Sequence, residues 1–394
     1  MDAAEGPLAR VAHFLHHRLL RLLVAAYALA GVAPAAGLWL RSAGLGSADV
    51  LGCTVTASLP SLLLSVLLFN AGLGVEPGRP RDLFRSSGVL LAGLVANLVV
   101  PLLFIGGVSV TLAVWHNPTE VQYILVGLAL IASMPVAGSS TAWSQNANGD
   151  LALSLGLVVG STVLSPLTTP AVLHAVGWVA EGTFADCLHR LAAGGTSAFL
   201  AAFVMAPSLA GILTRCVLGG GPVKRAKPGL KVMNSVVLLV LCYANAAVAL
   251  PKTFAAPDWD FLAVMLVIVS GLCVLGFAAG LALSAWFGAD AGRRASLMFG
   301  LGMTNNGTGL VLATTALAHV PDVMLPVIFY NLVQHVVAAG FQRLAAQEQD
   351  KAKINSPSSA QPAQSLQPAQ SDSSNVSPER RAGRVPPEVS LTPT

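Results

Sequence analysis

The sequence predicts an all-α polytopic membrane protein of about ten transmembrane helices, set out as two inverted five-helix repeats. Three observations point there. Of the 394 residues, 54% are hydrophobic and only 10% are charged, where an ordinary soluble domain carries about 25% charge. Apolar runs of about 20 residues, enough to cross a bilayer as helix, recur along the chain. Basic residues gather in alternate loops, as they do when loops alternate between the two sides of a membrane.

So few charges could not keep the surface of a soluble protein hydrated. The net charge of +4 is spread over several loops, so it marks no nucleic-acid partner. The five cysteines (Cys53, Cys187, Cys216, Cys242, Cys273) form no CxxC or Cys/His pair. Most lie in apolar runs and read as small buried hydrophobes rather than metal ligands.

In chain order, residues 1–17 read as a cytoplasmic arm. The first apolar run, Leu19–Leu40, is opened by Arg18 and Arg21. It has spanning length and further runs follow at once, so it reads as a span and not a signal peptide. Spans are then expected at Val50–Gly74, Ser86–Val114, Val121–Asn146, Leu151–Val179 and Leu191–Val217. Four more follow at Met233–Leu250, Phe261–Phe287, Ala295–Ala318 and Met324–Phe341. Trp39, Trp115, Trp178 and Trp259 fall near span ends, as interface anchors do.

Loop charge checks the count. One side collects Arg10, Arg18 and Arg21, then Arg79, Arg81 and Arg85, then Arg215, Lys224, Arg225, Lys227 and Lys231, and last Arg293, Arg294 and Arg343. The other carries Arg41, Arg190 and Lys252. That asymmetry puts both termini in the cytoplasm. The loop Gly219–Lys231 divides five spans from five, and an odd number per half inverts the second relative to the first. The domain reading is thus residues 18–345 for the membrane domain, with repeats at about 18–180 and 190–345. Residues 346–394 form a disordered cytoplasmic tail, because Ser356–Thr394 is rich in Ser, Pro and Gln and poor in apolar groups.

Two spans are interrupted. Met134–Asn146 brings a proline, a glycine and a series of hydroxyls and amides straight after the apolar run Val121–Ser133, and Gly302–Gly309 brings glycines, hydroxyls and amides together in the second half. In lipid, irregular backbone must line a cavity or be packed in protein, and a pair of interrupted segments, one per half, points to a carrier's binding site. No Asp or Glu lies within a span, although Asp150 comes nearest. The groups on offer are therefore neutral oxygens and the N-terminal ends of half-helices, which attract anions. The plainer alternative is that such residues only glue helices together. His174 and His335 read as packing histidines rather than proton carriers. Nothing resembles a nucleophile–base pair or a phosphate-cradling loop, so the protein is not read as an enzyme.

Pro135 with Gly138-Ser139-Ser140-Thr141, then Asn148-Gly149-Asp150-Leu151-Ala152-Leu153-Ser154, then Ser161-Thr162-Val163-Leu164-Ser165-Pro166-Leu167-Thr168-Thr169-Pro170, together resemble the bile acid–sodium symporter family. Phe69-Asn70-Ala71-Gly72-Leu73 is similar to the end of its second span, and Gly302-Met303-Thr304-Asn305 to part of its ninth. The resemblance implies a panel domain beside a core domain, with helices four and nine broken and crossing. It also implies organic-anion uptake coupled to sodium held at the crossing. Carried over by residue, the match is incomplete. The fourth-span Ser-Asn falls on Ser140 and Thr141, and the fifth-span hydroxyls on Ser154 and Val158. The ninth-span Glu falls on Gly300 and its Gln on Thr304, while Met303 and Asn305 match. The third-span Gln falls on Ala96, beside Asn97.

The reading is a bacterial plasma-membrane carrier working by alternating access on an organic anion or related small amphiphilic solute. Its expected partners are that solute and the lipid bilayer, with no nucleic acid. Ser139, Ser140, Thr141, Thr304, Asn305 and Asn306 are the expected solute site. Asn97, Ser140, Thr141, Ser154, Met303 and Thr304 are the ion ligands the resemblance implies. With Gly300 in place of a carboxylate, a cation loses about 4 kcal/mol of pairing at an effective dielectric near 20, so sodium coupling is expected to be weak or absent and no other cofactor is expected. The alternatives are a sodium-coupled symporter with neutral-oxygen ion sites, or a membrane sensor that uses the same pocket without transport.

Overall fold

Length decides which apolar runs become through-going helices. In the computed structural model, residues 7–50, 52–75 and 87–354 are described. The chain forms two compact units, Met1–Gln349 and Asp350–Thr394. Of the second, only the end of the last helix is described, and the tail Ser356–Thr394 lies outside the described residues.

The chain opens with α1 (Pro7–Val32), which begins inside the segment read as an arm, and bends by 91° at Ala33-Pro34 into α2 (Ala35–Ser42). A hairpin follows, β1 (Gly44–Val50) antiparallel to β2 (Cys53–Ser58). Next comes α3 (Leu59–Gly74), started by a reciprocal cap in which the Ser61 N–H donates to Ser58 Oγ and the Ser58 N–H donates to Ser61 Oγ. Then come α4 (Ser87–Thr111), α5 (Pro118–Ser133), α6 (Ser139–Asn146), α7 (Leu151–Gly177) and α8 (Gly182–Ala193). The span α9 (Thr196–Leu218) contains one π-turn, Ala201–Met205, where Phe203 O accepts from Ser65 Oγ at 3.2 Å. The chain closes with α10 (Gly220–Ala246), α11 (Leu250–Ala255), α12 (Trp259–Trp286), α13 (Ala291–Gly302), α14 (Asn306–Ala316) and α15 (Leu325–Ile354).

The expectation of about ten spans is corrected. Among the described residues, 6 helices are long and apolar enough to cross a membrane, or up to 7 if the bent pair at α1–α2 counts as one. The bundle is helical, but the five-plus-five division, and the inverted repeats built on it, fall with the count. The reason is local. The first part of Val50–Gly74 is hairpin, so α3 keeps 16 residues, about 24 Å of helix against a core of about 30 Å. Val121–Asn146 and Ala295–Ala318 each split into two shorter helices. The expected loop Gly219–Lys231 is helix from Gly220 on, with the turn confined to Gly219 at φ 74°.

Helices α1, α3, α9 and α10 pack on one another, and α4, α7, α12 and α13 form a second group with α5 and α6. Small residues allow the closest approaches. A Cβ on Gly72 of α3 would run into Ser208 O, and one on Gly211 of α9 into Phe69 O. Gly211→Leu must therefore push these backbones apart. Detergent-purified protein is expected to lose at least about 1–3 kcal/mol of stability, measured by thermal unfolding, while Gly106→Leu, where nothing stands in the way, is tolerated.

Candidate functional site

Helix α5 stops at Ser133 because Pro135 forces Met134 into extended backbone (φ −82°, ψ 147°). The chain stays unwound until Ser139. Helix α13 stops at Gly302, and Met303 is likewise extended (φ −126°, ψ 119°). The two unwound stretches lie antiparallel, with Val136 opposite Thr304. The Ala137 N–H donates to Met303 O at 3.0 Å and the Asn305 N–H to Pro135 O at 2.9 Å.

The groups left over find side chains. The Val136 N–H donates to Ser161 Oγ of α7 at 3.0 Å, and the Thr304 N–H to Gln334 Oε1 of α15 at 3.2 Å. Ser133 O accepts from Thr169 Oγ1 at 2.6 Å. Gln334 Nε2 in turn donates to Asn331 Oδ1 (3.2 Å) and Asn331 Nδ2 to Tyr27 OH (2.8 Å), so a buried polar chain runs from the breaks to α1. Without such partners each group would cost several kcal/mol in apolar surroundings.

The expected solute residues meet here but play unequal parts. Ser139 is exposed in the first turn of α6. Ser140 is fully buried and its Oγ has no hydrogen-bond partner. Thr141 Oγ1 turns back onto Gly138 O at 2.7 Å. Thr304 Oγ1 donates to Asn306 Oδ1 and Asn306 Nδ2 to Thr304 O, both at 3.2 Å, so this pair is engaged with itself. Asn305 caps α14, its Oδ1 accepting from the Thr308 N–H at 3.4 Å. It also lines a cleft with Gly138 and Val136, walled by Ala71 of α3, Thr162 of α7 and Ser208 of α9. The cleft has about 30 Å³ of room for water-sized molecules, far below the roughly 300–1,000 Å³ of a small-molecule pocket.

Of the expected ion ligands, Asn97 and Thr304 share a second cavity with Tyr330, with room of about 10 Å³, close to the least that holds a water. The carbonyl of Met303 accepts from Ala137. Ser154, in the first turn of α7, is buried with no partner for its Oγ. Gly300 decides the fit. A Cβ there would stand 2.7 Å from Leu157 Cδ1, and Leu157 belongs to an apolar cluster with Val89, Leu153, Leu297 and Leu301. A side chain at position 300 would meet the end of the Leu157 side chain, and Gly300 itself offers no carboxylate to a cation.

Asp150 is an N-cap, with Oδ1 accepting from the Leu153 N–H at 3.1 Å and Oδ2 3.7 Å from Arg293 Nε. His174 Nδ1 meets His189 Nδ1 at 2.7 Å and so fastens α8 to the end of α7. At one end of the bundle, Arg41 donates to Thr314 O, Thr314 Oγ1 donates to Asn245 Oδ1 at 3.2 Å, and Lys252 Nζ lies 2.6 Å from Asp322 Oδ2. The Asp322 hydrogen bond holds the Lys252 ammonium above its ordinary pKa. No group of three or more His, Cys, Asp or Glu among the described residues is placed to hold a metal.

Sequence reasoning assigned no role to Ser161, Thr169, Asn331 or Gln334. A signal existed, since Ser161, Ser165 and Thr169 recur every fourth residue along one face of α7, as Asn331 and Gln334 do at a spacing of three on α15.

Residues 61–250 match the family model described as the Sodium Bile acid symporter family. The uncharacterized sodium-dependent transporter YocS of Bacillus subtilis (strain 168) is 23% identical over 303 residues, covering 76% of this chain and 88% of its own. The uncharacterized protein YbaS of the same organism is 26% identical over 217 residues, 55% of this chain and 67% of its own. These matches bear out the resemblance read from the motifs.

Removing a partner from the paired breaks strands a buried N–H. Ser161→Ala and Gln334→Leu are each expected to cost about 1–3 kcal/mol in thermal unfolding of the purified protein. Ser139→Ala, at an exposed hydroxyl, is expected to change stability little.

Proposed function

We propose, from the premise of an integral membrane carrier of a small solute that matches the Sodium Bile acid symporter family, that this protein moves organic anions or related small amphiphilic solutes by alternating access with weak or absent sodium coupling. The solute site is the cleft at the paired breaks, and both termini face the cytoplasm. One observation carries the substrate class. Helix α6 starts at Gly138 with no side-chain cap, and Gly138 lines the cleft beside Asn305. The Ser140 N–H there donates to Ala137 O, and a helix start without a side-chain cap still presents a partial positive charge to an anion. No lysine or arginine is needed there. The cleft is too narrow for a solute as it stands, so entry requires α3 and α9 to move away from the breaks.

The weak sodium dependence is supported by Leu157 beside Gly300. A second reading, a sodium-coupled symporter with neutral-oxygen sites, is favoured by the partnerless buried hydroxyls of Ser140 and Ser154 and by the name of YocS, which describes that protein as sodium-dependent.

Uptake of a labelled organic anion into proteoliposomes is expected to saturate and to change little when choline replaces sodium. Asn305→Leu is expected to lower it by about tenfold or more, more than loss of a helix cap alone, about 1 kcal/mol, would account for. Strong accumulation driven by a sodium gradient would overturn the uncoupled reading in favour of the second. Binding by thermal shift without flux would instead make the protein a sensor.

A further inference from the structure

Helices α1 and α10 raise a basic band at one end of the bundle. Their C-terminal ends meet, Tyr243 OH donating to Ala33 O at 2.5 Å, and they pack along their length. They therefore run parallel. At about 1.5 Å per residue, Arg18 and Arg21 lie roughly 20 Å from that contact, level with Pro228 and Lys231. Lys224, Arg225, Lys227 and Lys231 of α10 are exposed, as are Arg10, Arg18 and Arg21 of α1.

Neither helix brings a counterion. No Asp or Glu occurs between Glu5 and Asp49, or between Asp186 and Asp258. Among the described residues, the ion pairs use other cations. The same stretch of α1 exposes Val11, Phe14, Leu20 and Val24, and Arg18 sits 4.9 Å above the Phe14 ring. Cations interleaved with exposed apolar side chains suit a boundary between lipid and water. A nucleic acid in water would leave those apolar groups uncovered.

We propose that this band binds the headgroups of anionic phospholipids at the bilayer surface. Such headgroups supply the negative charge that the two helices lack, and attraction of basic segments to anionic leaflets is additive over residues. The band lies on α10 and on α1, neither of which contributes a residue to the lining of the cleft.

The test compares the full chain in vesicles of phosphatidylcholine alone and of phosphatidylcholine with phosphatidylglycerol. The unfolding midpoint is expected to be higher with phosphatidylglycerol, and the gain to shrink as salt is raised. Substituting Lys224, Arg225, Lys227 and Lys231 together by Gln should remove most of the gain while leaving the midpoint in phosphatidylcholine unchanged. If that variant fails to fold, Arg10→Gln with Arg18→Gln and Arg21→Gln probes the same band from α1. No gain for the unaltered chain, or an equal gain in the folded variants, would overturn the proposal. So would reproduction of the gain by soluble glycerol phosphate, or tighter binding of a short RNA than of the anionic vesicles.

Discussion

Everything around the two helix breaks follows from one constraint: a polypeptide backbone cannot be left unpaired where water is excluded. Met134–Gly138 and Met303–Asn305 meet it by pairing with each other, Ala137 with Met303 and Asn305 with Pro135. Two extended stretches can exchange only a few such bonds when they touch at a single residue pair. The surplus groups then dictate side chains elsewhere, a hydroxyl at Ser161, another at Thr169 and an amide at Gln334. Polar residues inside α7 and α15 are thus the counterpart of the breaks.

The same constraint fixes where half-helices begin. Helix α14 begins under the Asn305 cap, and its first N–H groups are partly answered within the chain. Helix α6 begins without one. Its Ser140 N–H is answered by Ala137 O at 3.0 Å, and its N-cap Gly138 lines the cleft. Farther along, Gly300 and Leu157 press together, so the surroundings of the breaks are apolar on that side.

The sequence made some of this legible. Pro135 and Gly138 between an apolar run and hydroxyls mark the first break, and Gly302 followed by Thr304-Asn305-Asn306 marks the second. The motifs from Asn148 to Pro170 carried the resemblance to the family. The number of membrane-length helices was not legible, because hydropathy adds the two parts of a broken span and hides the hairpin Gly44–Ser58 before α3. Loop charge could not correct it, since alternation counts crossings of any length, whether by one long helix or two short ones. The unequal roles of the site residues were also hidden. Thr304 and Asn306 look like free ligands in sequence, yet each occupies the other. That depends on χ angles in an unwound segment, which no spacing rule reaches.

The polar contacts that tie α1, α2, α10 and α11 to α14, α15 and the turn before α15 differ in what it would take to part them. Lys252–Asp322 is a single ion pair between an exposed lysine and a largely buried aspartate. Thr314 and Asn245 are both buried, and their hydrogen bond, with the one Arg41 donates to Thr314 O, ties α10 and α2 to α14. The Asn331–Tyr27 bond likewise joins two buried side chains, so parting either buried pair would strand polar groups. In the proposed cycle the Lys252–Asp322 pair, open to water on its lysine side, parts most readily, while the buried pairs and the paired breaks stay intact. The moving boundary then lies between α3 and α9 on one side and the breaks on the other, with α1 and α10 held to α15 and α14 at its edge. That is also the boundary onto which the cleft opens, with α3 and α9 on one wall and Val136, Gly138 and Asn305 on the other.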